Sequence, residues 1–190
     1  LSIRRQRQMC IRDRVVTCGL FTACGDDDWG NDNPAMEHIY YYGLGNVNYP
    51  GGNELQYDVT QGGTVEVPTY FFSVYKRSYS PEVKYYTSSV PNADPQLVCG
   101  TDYQVVDQNG NVLSPDSDGG YNMTWPNALK GSQNVYIKAL NGQKGKLRVL
   151  TFDPSKKIVS TDVISTIIAK TNQYEVRAFS ENYYVTVNVK

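Results

Sequence analysis

The chain has 190 residues and a formal net charge of −1, with 18 basic against 19 acidic side chains, four cysteines and one histidine. No basic surplus supports nucleic-acid binding, and four cysteines with a single histidine match no zinc-ligand spacing. A domain of this size buries roughly 68–70 % of its unfolded surface, so neither a disulfide nor a metal is needed to hold it together.

The first fourteen residues carry five arginines ahead of a nine-residue apolar stretch at 15–23. That is the order of a signal peptide's cationic and hydrophobic regions, and it is too short for a bilayer span, which takes about 20 apolar residues. The string RQRQMCIRDR also resembles a translated sequencing adapter, which would stand in place of the true start. Residues 20–28 read LFTACGDDD. They resemble a bacterial lipobox, with Phe21 where leucine is usual and small Thr22 and Ala23 ahead of the cysteine. The resemblance implies that residues 1–23 are removed, that Cys24 carries the lipid, and that Asp26, Asp27 and Asp28 act as the surface-export signal of Bacteroidota lipoproteins. The address it implies is the outer membrane, lipid-anchored and facing the cell exterior. Thirteen basic and eighteen acidic residues follow Cys24, a mildly acidic mature chain. Residues 24–34, CGDDDWGNDNP, are polar and turn-rich and read as a flexible acidic tether; fully extended, it reaches roughly 35 Å. Trp29 is expected to be exposed on it. Cys10 and Cys18 fall in the removed part, so Cys99 has no partner and is expected to be a small buried apolar residue.

From residue 35 to 190 the pattern has period two, the mark of strands with one face in a core and one in water. Leu55, Tyr57 and Val59 alternate with polar neighbours, as do Val65 and Val67, Val83 and Tyr85, and Val135, Ile137 and Ala139. Tyr183, Val185, Val187 and Val189 close the series. Tyr, Val, Thr and Ile dominate, as strands prefer. Gly62-Gly63, Pro91, Pro115 and Gly119-Gly120 are breaks. Asn109-Gly110 and Asn141-Gly142 have the chemistry of tight hairpin turns. Residues 162–170 have apolar spacing compatible with a helix, but the segment is short and β-branched, and we assign it as a strand. The spacing of strands predicts a single antiparallel β-sandwich.

The middle of the chain adds a resemblance. Gly100-Thr101-Asp102-Tyr103, then Trp125-Pro126-Asn127-Ala128, then Val135-Tyr136-Ile137 resemble the succession of motifs in Calx-β-like sandwiches over about 40 residues. With EHIYYYG near its start and YEVRAF near its end, the chain from Cys24 is similar to small surface lipoproteins of gut Bacteroidota with an Ig-like or Calx-β-like fold. Such proteins often accompany glycan-uptake systems, which implies a glycan or an outer-membrane transporter as partner. The family has no established catalytic residues to carry over.

Tests for chemistry leave little. His38 is the only histidine, sits in a strand-like EHIYYY run and has no nucleophile motif beside it. Glu37, Glu66, Glu82, Asp153 and Glu175 are the carboxylates a glycoside hydrolase would draw on, but Glu66 and Glu175 fall on the polar phase of their strands. None lies in the apolar setting that raises a carboxyl pKa. Asp116-Ser117-Asp118-Gly119-Gly120 starts like a calcium loop, but the position of the closing glutamate is Asn127, so it reads as an Asp-Gly turn. No nucleotide loop or other cofactor motif is present. The expected function is therefore a non-enzymatic accessory binding module, with a structural adhesin or pilus-like subunit as the alternative; its last strand would be the one exchanged between copies. Sixteen tyrosines supply the remaining signal. In adjacent aromatic pairs the pleat turns one ring inward and the other outward. Tyr41, Tyr86 and Tyr184 are the candidate outward rings for stacking on sugar faces, against ordinary cross-strand packing as the plainer role. Trp125 is expected in the core.

Overall fold

The computed structural model describes residues 37–45, 52–159 and 161–190. The sequence readings at Cys24, Asp26, Asp27, Asp28 and Trp29, and the tether they define, lie outside these residues. From His38 to Lys190 the chain forms one compact unit. Its strands are β1 (Ile39–Leu44), β2 (Gln56–Val59), β3 (Thr64–Phe72), β4 (Glu82–Ser89), β5 (Tyr103–Val106), β6 (Tyr121–Thr124), β7 (Gly131–Ala139), β8 (Gly145–Leu150), β9 (Ile167–Lys170), β10 (Glu175–Ala178) and β11 (Tyr184–Val189). They make two sheets, ordered β5-β7-β3-β1-β10-β9 and β2-β11-β8-β4-β6, which face each other as a sandwich.

The predicted all-β sandwich is observed, and the period-two runs coincide with β2, β3, β4, β7 and β11. Pairing is antiparallel except for two ladders, β1 with β10 and β11 with β2, which are parallel. Consecutive strands alternate between the sheets, and only β9 and β10 are both consecutive in sequence and adjacent in one sheet. A parallel neighbour follows naturally, because a chain that changes sheet at every turn need not reverse direction beside its predecessor.

The inward phases fill one core. Tyr42, Val67, Phe71, Ile137 and Val176 from the first sheet meet Leu147, Val149, Val185 and Val187 from the second, each no more than 0 % exposed. Trp125 stacks on Phe71 with centroids 5.0 Å apart and meets Tyr42 edge-on at 6.2 Å, so its expected core position is observed. The Tyr42 hydroxyl donates to the Met123 thioether at 3.7 Å, and the Thr69 hydroxyl, 3.4 Å from the same sulfur, donates to the Gln133 carbonyl at 2.9 Å.

Three local readings change. Asn141-Gly142 makes no hairpin, since β7 and β8 lie in different sheets, and Gly142 is not among the glycines with positive φ. Its lack of a side chain matters for another reason: a Cβ there would lie 2.7 Å from the Thr101 carbonyl oxygen. Asn109-Gly110 does turn the chain back, with Gly110 at φ 85° and Val112 bridging Val106 antiparallel. Residues 162–170, assigned as one strand, divide instead. Asp162 caps a single helical turn, α1 (Val163–Thr166), by accepting from the Ile164 N–H at 3.0 Å, and β9 follows. Val163 and Ile164 are 53 % and 78 % exposed, so no apolar face extends the turn into a longer helix. Finally, Cys99 is exposed rather than buried. It precedes the turn at Gly100 and comes within 3.8 Å of the Tyr121 hydroxyl.

Asp102 ties the connections together. It is 2 % exposed, and its carboxylate accepts from the Gln143 N–H at 2.7 Å and the Val98 N–H at 2.8 Å. These two bonds hold its carboxyl below the usual pKa. A depressed carboxyl contributes stability that is complete above its ordinary unfolded value, about 4, and is lost as pH falls through the folded value. Asp102→Asn should therefore melt at a lower temperature than wild type at pH 6. The gap should close as pH falls below about 4, as followed by circular dichroism. An unchanged gap from pH 6 to pH 2 would remove this role.

Candidate functional site

The outer face of the second sheet carries the site. Pleat alternation sends Val185, Val187 and Val189 of β11 inward, so Tyr184, Thr186 and Asn188 point out. On β8 the same rule buries Leu147 and Val149 inward and sends Lys146, Arg148 and Leu150 out. On β4, Val83 and Tyr85 enter the core while Lys84, Tyr86 and Ser88 face out. Strand register then lines these residues into rows across the sheet. Tyr86, Leu150 and Tyr184 form one row; Ser88, Arg148 and Thr186 form the next.

The segment after β8 crosses this face on its way to β9 in the other sheet. Its anchor is Thr151, whose N–H donates to the Tyr183 carbonyl at 2.9 Å. Phe152 follows and packs with Tyr86, Leu150 and the partly buried Ile158, Ile168, Tyr183 and Tyr184 in a second apolar cluster. The crossing covers one end of the outer face and leaves the other open. The open end is a groove of about 420 Å³. Tyr184 and Tyr183 form one wall, their rings edge to face at 5.1 Å, and Phe152 meets Tyr183 at 5.2 Å. Lys156 and Lys157, both exposed, rise from the crossing segment, and Ser88 lies across the floor.

Arg148 lies over the Tyr184 ring, its guanidinium carbon 4.1 Å from the centroid. The two are diagonal neighbours on adjacent strands, within reach for long side chains. A guanidinium held against an aromatic face keeps its planar fork of donors in one orientation. Its Nε is buried without a hydrogen-bond partner, and no carboxylate lines the groove among the described residues.

The three predicted stacking tyrosines do not share a surface. Tyr41 lies on the outer face of the first sheet, half-buried, 5.2 Å from the Phe179 ring. Tyr86 has the expected outward phase but is not an open platform. It is 8 % exposed beneath the crossing segment, with its hydroxyl 3.4 Å from Asp118. Tyr184 lies in the groove with Arg148 over one face, so a ligand can stack only on what that guanidinium leaves open. Arg148, Phe152, Lys156 and Lys157 were not singled out from sequence. The alternation in KLRVL does put Arg148 outward, but nothing local shows it beside a tyrosine 36 positions later.

The other candidate chemistry resolves into surface structure. Asp116 and Asp118 both grip Lys84, at 2.9 and 2.7 Å, which holds the lysine's pKa above its ordinary value, Asp118 contributing most. Gly119 turns at φ 80° behind them. Glu175 lies between Lys170 and Arg177, at 2.8 and 2.7 Å. His38 is exposed, and its Nδ1 meets the Tyr79 hydroxyl at 2.6 Å. No cluster of three metal-ligating side chains occurs among the described residues.

No family model matches the chain, and no curated protein matches it. Among solved structures it is similar to CaCohA2 from Clostridium acetobutylicum, at 12 % identity and a TM-score of 0.42 over 81 % of this chain and 92 % of that one. A chain of the CaDoc0917–CaCohA2 complex gives 14 % identity and a TM-score of 0.41, over 80 % and 99 %. The sixth cohesin of Acetivibrio cellulolyticus scaffoldin B, in complex with a Cel5 dockerin, gives 9 % and 0.35, over 80 % and 99 %. At these values the likeness carries no argument about activity or partner.

The row Tyr86–Leu150–Tyr184 separates packing from recognition. Tyr86→Ala should cost about 3 kcal/mol of stability, as for other large-to-small changes at buried aromatics, while Tyr184→Ala should cost less than half as much. Urea denaturation measures both, and equal losses would show that Tyr184 is as much a packing residue as Tyr86.

Proposed function

We propose that this chain is a non-enzymatic binding module that captures a glycan in the groove beside Tyr184. The observation that supports it is the partly buried Tyr183–Tyr184 pair walling a groove of about 420 Å³, with Ser88 among its lining residues. Aromatic walls offer flat faces to the C–H side of a sugar ring, and hydroxyls offer exchangeable hydrogen bonds to its rim. Of the carboxylates a hydrolase would draw on, Glu175 is bound to Lys170 and Arg177, Glu66 accepts from the Asn134 amide at 2.6 Å, and Asp153 accepts from Ser155. The structural alternative, exchange of the last strand between copies, has no observation in its favour. β11 is an interior strand, paired with β8 over six positions and with β2 over four, and its release would open both ladders.

Our reading of location rests on the sequence alone. Lipid on Cys24 and the acids behind it would hold the module at the outer-membrane surface, where an outer-membrane transporter is the natural recipient of captured glycan. One acyl chain gives marginal attachment, so two or more are required. With a complete signal peptide supplied, labelled palmitate should enter the wild type and not Cys24→Ala. Equal labelling of both would remove the anchor.

For recognition, the full chain should be retarded in native gels containing a suitable polysaccharide, and Tyr184→Ala should lose most of that retardation. Migration unaffected by every member of a panel of neutral and acidic polysaccharides would overturn the glycan reading.

A further inference from the structure

We infer that the groove selects a carbohydrate that carries a carboxylate or sulfate group, and that Arg148 is the residue that reads the anion. The inference rests on the glycan reading above and adds its chemical class. Its basis is a local imbalance of charge. The whole chain is nearly neutral, at −1, yet the groove is lined by Arg148, Lys156 and Lys157 with no Asp or Glu among the described residues.

Four outward acids elsewhere on the domain are paired with bases. Asp116 and Asp118 hold Lys84, Glu175 holds Lys170 and Arg177, and Asp58 holds Lys190. Arg148 has no ion-pair partner among the described residues, and its contact is the Tyr184 ring. A guanidinium stacked in this way has lost much of its side-chain freedom before any ligand arrives. With Nε buried, the two Nη groups of its planar fork are the donors that match the two oxygens of a carboxylate or the face of a sulfate. Lys156 and Lys157, on the exposed crossing segment, add positive charge at the rim, Lys156 with Asp153 as a charged neighbour, where charge steers approach more than it fixes orientation. The same groove presents Tyr183, Tyr184 and Phe152. An anion alone needs no aromatic wall; a sugar ring bearing an anion uses both.

The test uses the full chain in affinity gels and calorimetry with four polymers: polygalacturonate, dextran sulfate, neutral dextran and poly-L-glutamate. Polygalacturonate, dextran sulfate or both should bind, neutral dextran should bind at least tenfold more weakly, and raising sodium chloride should weaken the acidic interaction. Whichever of the two acidic polysaccharides binds identifies carboxylate or sulfate as the anion. Arg148→Met should raise Kd roughly tenfold or more, the size of one charge-assisted hydrogen-bond pair. Arg148→Lys should recover little of this, since it keeps the charge and loses the planar fork. Melting curves of both variants within a few degrees of wild type establish that the fold is retained; if Arg148→Met unfolds, Arg148→Lys and the double change Lys156→Gln with Lys157→Gln carry the comparison. Equal binding of neutral dextran would overturn the anion and leave the glycan reading standing. Poly-L-glutamate binding as tightly as the acidic polysaccharides would overturn the carbohydrate and assign the groove to acidic protein partners. Acidic-polymer affinity unchanged in Arg148→Lys would remove Arg148 as the reader, and failure of all four polymers to bind would overturn the inference entirely.

Discussion

The ladder between β8 and β11 is the constraint on which both the core and the groove depend. Its six-position register pairs Tyr184 with Leu150 and Val187 with Leu147. Every inward residue of β11 is a valine no more than 4 % exposed. Because side chains alternate strictly, a slip of one residue would bury Tyr184, Thr186 and Asn188 and expose the three valines. Burial of those valines therefore also fixes Tyr184 on the outer face, one diagonal step from Arg148. The recognition surface follows from the core's choice of register rather than from any device of its own.

The crossing segment then divides that surface by what it covers. Tyr86 and Tyr184 stand in one row with Leu150 between them. Phe152 and the residues after it lie over the Tyr86 end, where burial raises the tyrosine's pKa and the neighbouring Asp118 adds to the shift. The Tyr184 end stays open and gains Lys156 and Lys157 from the same segment. One connection between sheets thus turns two equivalent outward tyrosines into a packing residue and a groove wall.

The alternation of consecutive strands between sheets explains why turn chemistry was a poor guide to connectivity. Asn141-Gly142 has the composition of a hairpin, yet β7 and β8 part to opposite sheets there, and the glycine serves close approach to Thr101 beside the buried Asp102. Most ladders join strands distant in sequence, such as β2 with β11 and β1 with β10. Such pairing closes large loops before it returns any contact, and it leaves no local signature that a reading along the chain can detect.

The sequence by itself determined the all-β class, the inward phase of Val67, Ile137 and Val185, and the outward phase of Tyr41, Tyr86 and Tyr184. These follow from the geometry of a single pleated strand, in which neighbours point to opposite faces whatever the partner strand may be. The tertiary structure alone decided which outward residues meet, which are covered and which way the ladders run. It placed Tyr41 on the sheet opposite Tyr184, buried Tyr86, exposed Cys99 and set Arg148 over a ring 36 residues away. Phase is a property of one strand, whereas adjacency on a surface is a property of register between strands and of the connections laid over them. Those are settled by burying the whole core at once.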